Sequence, residues 1–272
     1  MRNTRRAIAE ETVAVLEGGS YVAPSGRVVD LAGRLARAVE GTRLYRPDDL
    51  VDLLRELPET PGELETRIEV TGETTLAAAR RLPEAAGLNF ASAKHPGGGF
   101  LSGAEAQEEA LARSSGLYAS LRAAPEFYAF HNARRDLLYS DHMIYSPGVP
   151  VFRDDAGSLL EDAYDVAFLT SAAPNRGAIQ DPVEAGRVPG VLRTRVAKVL
   201  ALAHAHGHRR LVLGAWGCGV FANDPAEVAG TFATHLLGDG QFAGRFEHVV
   251  FAVYDRAPGE PRLAAFQRVF SS

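Results

Sequence analysis

Ala9, Val13 and Leu16 recur at the spacing of one helical face and Gly18-Gly19 follows as a stop, which predicts a first helix over residues 5–16. Val28-Val29-Asp30-Leu31 reads as a short strand and residues 31–39 as a short helix. Residues 47–57 read as another helix, opened by Pro47-Asp48-Asp49, since a helix N-terminus tolerates proline and favours acids. With no long linker of its own, the stretch 1–60 reads as an N-terminal helical extension packed on the rest of the chain.

From Thr66 the pattern changes. Arg67-Ile68-Glu69-Val70-Thr71 alternates as a strand, Gly72 turns, and residues 74–82 form a helix. Strand patterns recur at 87–91, 142–145, 165–170, 210–214 and 248–254, with helices at 103–115, 190–206 and 225–237 between them. In the helix 190–206, Leu192, Val196, Val199 and Ala203 make the stripe for burial, while Arg193, Arg195 and Lys198 are expected to face solvent. The alternation predicts an α/β fold, a mixed sheet flanked by helices on both faces, with residues 61–272 as one compact unit. In such sheets ligands collect beyond the carboxyl ends of the strands, so the loops there are the places to look for chemistry.

Composition acts mainly by exclusion. The 272 residues carry 46% hydrophobics, with Lys+Arg 29 against Asp+Glu 34, an ordinary globular balance. No apolar run approaches the roughly 20 residues of a membrane helix, and Met1-Arg2-Asn3-Thr4-Arg5-Arg6 leads into Glu10-Glu11 rather than an apolar leader. The expectation is a soluble, cytoplasmic protein with no membrane partner. A lone Cys218 allows neither an internal disulfide nor a cysteine-rich zinc site. The net charge of −5 argues against direct DNA binding and leaves room for a phosphorylated ligand in a local pocket.

Two loops stand out. The first contains Lys94-His95-Pro96-Gly97-Gly98-Gly99, followed by Ser102 and Glu105 at the spacing of a capping box, which would start a helix at Gly103. Three consecutive glycines carry a large entropic cost, and close approach of the main chain to a ligand is one reason to bear it; a structural surface turn is the other. The second loop runs Gly214-Ala215-Trp216-Gly217-Cys218-Gly219-Val220-Phe221-Ala222-Asn223-Asp224-Pro225, with Asp224, Pro225 and Glu227 marking a helix start. Free amides beside a helix N-terminus suit an anion, and two such loops in one sheet could clamp a pyrophosphate from both sides. Neither matches the P-loop or dinucleotide-binding spacing.

Gln107-Glu108-Glu109 is expected one to two turns into the first loop's helix, where adjacent residues point about 100° apart, so that only one glutamate could aim at a given bond. A solvated acidic turn favoured by the helix dipole is the alternative.

Pro96-Gly97-Gly98-Gly99 followed by Gln107-Glu108-Glu109 resembles the signature of poly(ADP-ribose) glycohydrolases. Asn89-Phe90-Ala91-Ser92-Ala93, residues 106–118, Tyr145-Ser146-Pro147, residues 149–154, Ser171-Ala172-Ala173-Pro174-Asn175 and residues 214–225 resemble the bacterial branch of that family. The resemblance implies a macrodomain with a short helical extension. It implies that Gly97, Gly98, Gly99 and the loop Gly217, Cys218, Gly219, Val220, Phe221 cradle the ADP-ribose pyrophosphate, with Phe221 against the ribose or adenine. It further implies Glu109 as catalytic acid/base, Glu108 and Gln107 as support for it and the ribose, and Asn89 on the distal ribose. General macrodomains carry Asn-Ala-Ala-Asn where this chain has Asn89-Phe90-Ala91-Ser92, so the second Asn role would fall to Ser92. The partners so implied are poly(ADP-ribose) or ADP-ribose, and ADP-ribosylated proteins as carriers; no cofactor and no metal are expected. A reader of ADP-ribose that does not cleave it, and a hydrolase of mono-ADP-ribose, are the rival functions.

Other groups receive plainer readings. His204-Ala205-His206-Gly207-His208 places i and i+2 on opposite helix sides, which suits a helix C-terminus better than a metal. Cys218 has no evident base partner, and Arg134-Arg135 and Arg209-Arg210 read as solvated faces.

Overall fold

The computed structural model describes residues 2–59 and 62–271. The boundary expected between residues 60 and 61 therefore lies outside the described residues. Among these are the strands β1 (Ser20–Val22), β2 (Val28–Asp30), β3 (Arg43–Tyr45), β4 (Arg67–Thr71), β5 (Ala86–Phe90), β6 (Met143–Arg153), β7 (Leu159–Ser171), β8 (Arg210–Leu213) and β9 (His248–Ala252). The helices are α1 (Arg2–Gly18), α2 (Ala32–Gly41), α3 (Pro47–Arg55), α4 (Thr75–Arg81), α5 (Gln107–Ser114), α6 (Leu117–Arg122), α7 (Pro125–Asn132), α8 (Pro182–Ala185), α9 (Val188–Ala205), α10 (Pro225–Leu236) and α11 (Pro261–Phe270). None of them is long and apolar enough to cross a membrane.

The main sheet has the order β3-β6-β7-β5-β8-β9-β4. Its β7-β5-β8-β9-β4 part is parallel, and β3 and β6 join antiparallel. Alternation along the central strands divides two cores. Leu211, Leu213, Val249 and Phe251 pack with α9, α10 and α11, while Val212 and Val250 pack on the other face with α4, α6 and α7. The mixed sheet flanked by helices is the architecture that the alternation predicted.

Four local expectations are corrected. The first sixty residues contribute an edge strand: β3 pairs Arg43, Leu44 and Tyr45 with Tyr145, Ile144 and Met143, a run too short to show a period. Strands β6 and β7 form one long hairpin where only short segments were legible. Pro147, Gly148 and Pro150 interrupt the apolar pattern of β6, and a register shift lies between Ser146 and Val149. Arg195 and Lys198 are buried, not solvent-facing, because α3 and α10 cover the sides of α9 and Asp141 meets both cations at 2.8 Å. Finally, the Ser102 capping box does not form. The Ser102 hydroxyl donates to Gly99 O inside a tight turn, Gly103 takes φ +76°, and α5 starts four residues later than the box predicts, at Gln107.

Helix α1 buries Ala9, Thr12 and Val15. The Thr12 hydroxyl donates to Arg113 O at 2.6 Å, while the Arg2 and Arg5 side chains donate to Ser102 O and Gly103 O, both at 3.0 Å. The N-terminal helix thereby holds the loop that enters α5.

Candidate active site

Strand β5 and helix α5 build the site between them. Because α5 begins at Gln107, the triplet forms its first turn, facing the carboxyl end of β5 directly. Gln107 fixes that junction: its Oε1 accepts from Phe90 N (2.9 Å), and its Nε2 donates to Leu88 O (2.7 Å) and Thr75 Oγ1 (3.0 Å). These bonds occupy the amide with backbone and Thr75, so it positions α5 where the resemblance implied contact with ribose.

Glu108 is 2% exposed. Its carboxyl accepts from Ser92 N at 2.7 Å and Asn89 Nδ2 at 3.3 Å. These donors and the Gly97 amide favour the ionised form, but burial outweighs them and pushes Glu108 up to about 8, with the charge of Glu109 acting in the same sense. Glu109 is only half-buried, and its Oε1 accepts from Gly99 N at 2.9 Å. A Cβ placed on Gly98 would lie 2.3 Å from Glu109 Oε1 and 3.2 Å from Glu108 Oε2. The two oxygens are therefore no more than 5.5 Å apart, a limit that follows from those two distances to one point. The two carboxyls thus share the space over Gly98 while differing in exposure, and the expectation that only one of them aims at a given bond stays open.

The triple-glycine loop is thus engaged with the carboxyls. Gly97 and Gly98 have φ +69° and +58°, Gly98 N donates to His95 O, and Gly99 N donates to Glu109. Asn89 likewise lies behind Glu108, fully buried and donating also to Thr170 Oγ1 at 3.2 Å, and not on the cavity where the distal ribose would sit. Ser92 contributes its amide to Glu108 and its hydroxyl to the amides of Lys94 and His95.

The second loop is different. The amides of Gly217, Gly219, Val220 and Phe221 make no hydrogen bond with other described residues, and all four residues line a cavity of about 880 Å³ that Gln107, Glu108 and Glu109 also line. Gly217 has φ +71°, and Asn223 ties the loop by donating from Nδ2 to Pro174 O (2.8 Å) and Gly217 O (3.2 Å). Cys218 lies beneath the loop and off the cavity; its thiol donates to Trp216 O and burial pushes it up to about 12, so it offers no thiolate.

Supports for this loop escaped the sequence. Tyr139, an aromatic residue at φ +56°, sets its ring 5.8 Å from that of Phe221. The segment around it is pinned by Arg195, which donates to Leu138 O (3.0 Å) and Ala172 O (2.8 Å). No period or motif marks Tyr139. Elsewhere, His206 bonds the Tyr45 hydroxyl (2.8 Å) and stacks on Tyr145, and His208 bonds the Tyr145 hydroxyl (2.9 Å). Arg134 lies over the Phe130 ring, and Arg209 and Arg210 pair with Glu247.

Fold and site together define an α/β protein with one cavity lined both by a glycine loop whose amides are unbonded and by two neighbouring carboxyls. The family described as microbial-type PARG, catalytic domain, matches residues 9–154. A poly(ADP-ribose) glycohydrolase (PARG) from Thermomonospora curvata is 69% identical, with a TM-score of 0.96 over 98% of this chain and 100% of that one. A structure of the Thermomonospora curvata enzyme bound to the inhibitor ADP-HPD is similar at 68% identity, TM-score 0.94, over 98% and 100% of the two chains. The Deinococcus radiodurans enzyme in complex with ADP-ribose is 50% identical, with a TM-score of 0.83 over 89% of this chain and 98% of that one. Comparison with curated proteins gives no match. The chain belongs to the microbial-type PARG family.

Proposed function

We propose that the chain hydrolyses the ribose-ribose O-glycosidic bonds of poly(ADP-ribose) and releases ADP-ribose. The observation that carries this reading is the placement of Glu108 and Glu109 over Gly98, lining one cavity with Gly217, Gly219, Val220 and Phe221, whose amides are unbonded. Those amides take the diphosphate, and Phe221 packs on the sugar or base. The Gly97 to Gly99 loop serves the reaction by seating the carboxyls.

Glu109 reaches the cavity and carries the proton traffic. It protonates the leaving 2′-oxygen as the C1″–O bond breaks with oxocarbenium character. It then takes a proton from the water that attacks C1″, which leaves Glu109 protonated and ADP-ribose free. Glu108 retains its own proton at neutral pH because it is buried, so it stands beside the reacting centre without a second negative charge. Its bonds to Ser92 and Asn89 hold the first turn of α5 in place.

This chemistry calls for no metal. Among the described residues no group of three His, Cys, Asp or Glu side chains is arranged to hold one. Membership of the macrodomain superfamily, a cytoplasmic location, ADP-ribosylated proteins as carriers and a place in the DNA damage response belong to the same proposal. The test is product analysis on labelled poly(ADP-ribose), with and without EDTA. Release of ADP-ribose in both conditions is the expected result. Binding without release would favour a non-cleaving reader, release only from mono-ADP-ribosylated carriers the second rival, and loss on chelation restored by one divalent ion a metal enzyme.

A further inference from the structure

The cavity extends past Glu109 to residues that the hydrolysis does not use: Arg5 from α1, Glu105 from the loop before α5, and Arg256 after β9. Glu105 bridges the two arginines. Its Oε2 meets Arg5 Nη1 and its Oε1 meets Arg256 Nη1, both at 2.7 Å. Each cation is oriented by a further acceptor, Arg5 by Gly103 O and Arg256 by the Tyr254 hydroxyl, both at 3.0 Å. Two guanidinium groups from separate elements thus face one carboxylate at the edge of the cavity. Arg256 and Glu105 are exposed, at 65% and 40%, and Arg5 is partly buried, at 23%.

The bridge lies next to the reacting carboxyl. Ala104, the neighbour of Glu105, would touch a Cβ on Gly99 at 2.9 Å, and the same Cβ position is 3.9 Å from Glu109 Oε1. In poly(ADP-ribose) the unit that departs from the scissile bond carries a diphosphate a few bonds from the leaving 2′-oxygen. Phosphate oxygens accept from two arginines in the same geometry as a bridging carboxylate, with more charge.

We propose that Arg256 and Arg5 form a subsite for the diphosphate of the polymer unit beyond the cleaved one, and that Glu105 occupies it until that phosphate displaces it. The inference rests on the glycohydrolase reading and adds to it the part of the substrate outside the released ADP-ribose. Glu105 orients both cations and competes with the polymer for them.

The test compares two substrates that share the scissile bond: poly(ADP-ribose), and an ADP-ribosyl-(1″→2′)-adenosine whose acceptor side has no diphosphate. Arg256→Ala should raise KM for the polymer about tenfold and leave KM for the truncated substrate and the affinity for ADP-ribose within about twofold of the unmodified chain. Glu105→Gln should act in the opposite direction and lower KM for the polymer. Equal effects of Arg256→Ala on both substrates, or on ADP-ribose affinity, would assign Arg256 to the released unit and overturn the proposal. No effect on either substrate, or a rise of polymer KM in Glu105→Gln with unchanged melting temperature, would also overturn it. If the unmodified chain cleaves neither substrate, the glycohydrolase reading itself fails.

Discussion

Two carboxyls in this molecule, the partly buried Asp141 and the buried Glu108, end in opposite states. Asp141 meets Arg195 and Lys198, each at 2.8 Å, and these partners hold its carboxyl below the usual aspartate value although burial pushes the other way. Glu108 is more deeply buried than Asp141 and has no cation; an amide and a side-chain amide donate to it, and burial keeps its proton on. Depth of burial and the presence of a cation together set the charge of an acid here: the more exposed Asp141 has two cations and the deeper Glu108 has none. The charged cluster fixes architecture, since Arg195 also gathers the carbonyls of Leu138 and Ala172 around the support of Phe221. The neutral one lies in the candidate site, within 5.5 Å of Glu109 Oε1.

The contrast is open to direct disruption. Arg195→Met leaves the partly buried Asp141 with Lys198 alone and the carbonyls of Leu138 and Ala172 without their donor, and should lower stability by roughly 1–3 kcal/mol in urea or thermal unfolding. Glu108→Gln exchanges a neutral acid for a neutral amide and should change stability at pH 7 far less. A similar loss in both variants would erase the distinction.

The two glycine loops form a parallel contrast. Gly219 has an ordinary φ and no atom within 4 Å of an added Cβ, so Gly219→Val should keep the fold and lower ADP-ribose affinity at least tenfold in calorimetry, by obstructing the free amides. Gly98→Ala meets the Glu109 carboxyl at 2.3 Å in a left-handed conformation, so it should displace the acid and abolish turnover, with a smaller effect on ADP-ribose affinity. Wild-type affinity in folded Gly219→Val would remove the anion role of the second loop.

A smaller signal separates the acids by pH. Glu108 has a folded pKa of about 8 against the ordinary 4.5 of the unfolded chain. Between those values the unfolded state releases a proton that the folded state keeps, so this group lowers stability as pH rises, by about 1.4 kcal/mol per pH unit. Asp141 is lowered, so its contribution is present above the ordinary aspartate value and is lost as pH falls through its folded pKa. The six histidines whose pKa burial lowers raise stability as pH rises towards their ordinary value, so the Glu108 signal is read as a difference: the stability of the unmodified chain relative to Glu108→Gln should fall as pH rises between about 4.5 and 8. A slope unchanged by that substitution would mean that Glu108 is ionised in the fold.

Much of this was legible in the chain. The glycine triplet, the Gln-Glu-Glu run and the strand-glycine-helix pattern at 211–225 stated the site, because glycine at positive φ and acids at a helix start have local causes. What escaped depends on partners distant in sequence. Arg195 and Lys198 look solvent-facing until Asp141, more than fifty residues earlier, meets them. Ser102 and Glu105 have the spacing of a capping box, yet the Ser102 hydroxyl is used within its own turn and Glu105 by two arginines. That Gly97 and Gly99 also seat the two carboxyls was not legible, because sequence reveals flexible amides and not what they bond.

The central claim is the division of labour within Glu108 and Glu109, and its most direct test is turnover on poly(ADP-ribose) measured beside ADP-ribose affinity for Glu109→Gln and Glu108→Gln. Glu109→Gln should lose roughly 10²- to 10⁴-fold in turnover with affinity nearly unchanged, while Glu108→Gln, isosteric with a protonated acid, should lose roughly tenfold or less. Near-normal turnover in Glu109→Gln, or loss of binding alone in both variants, would contradict the account.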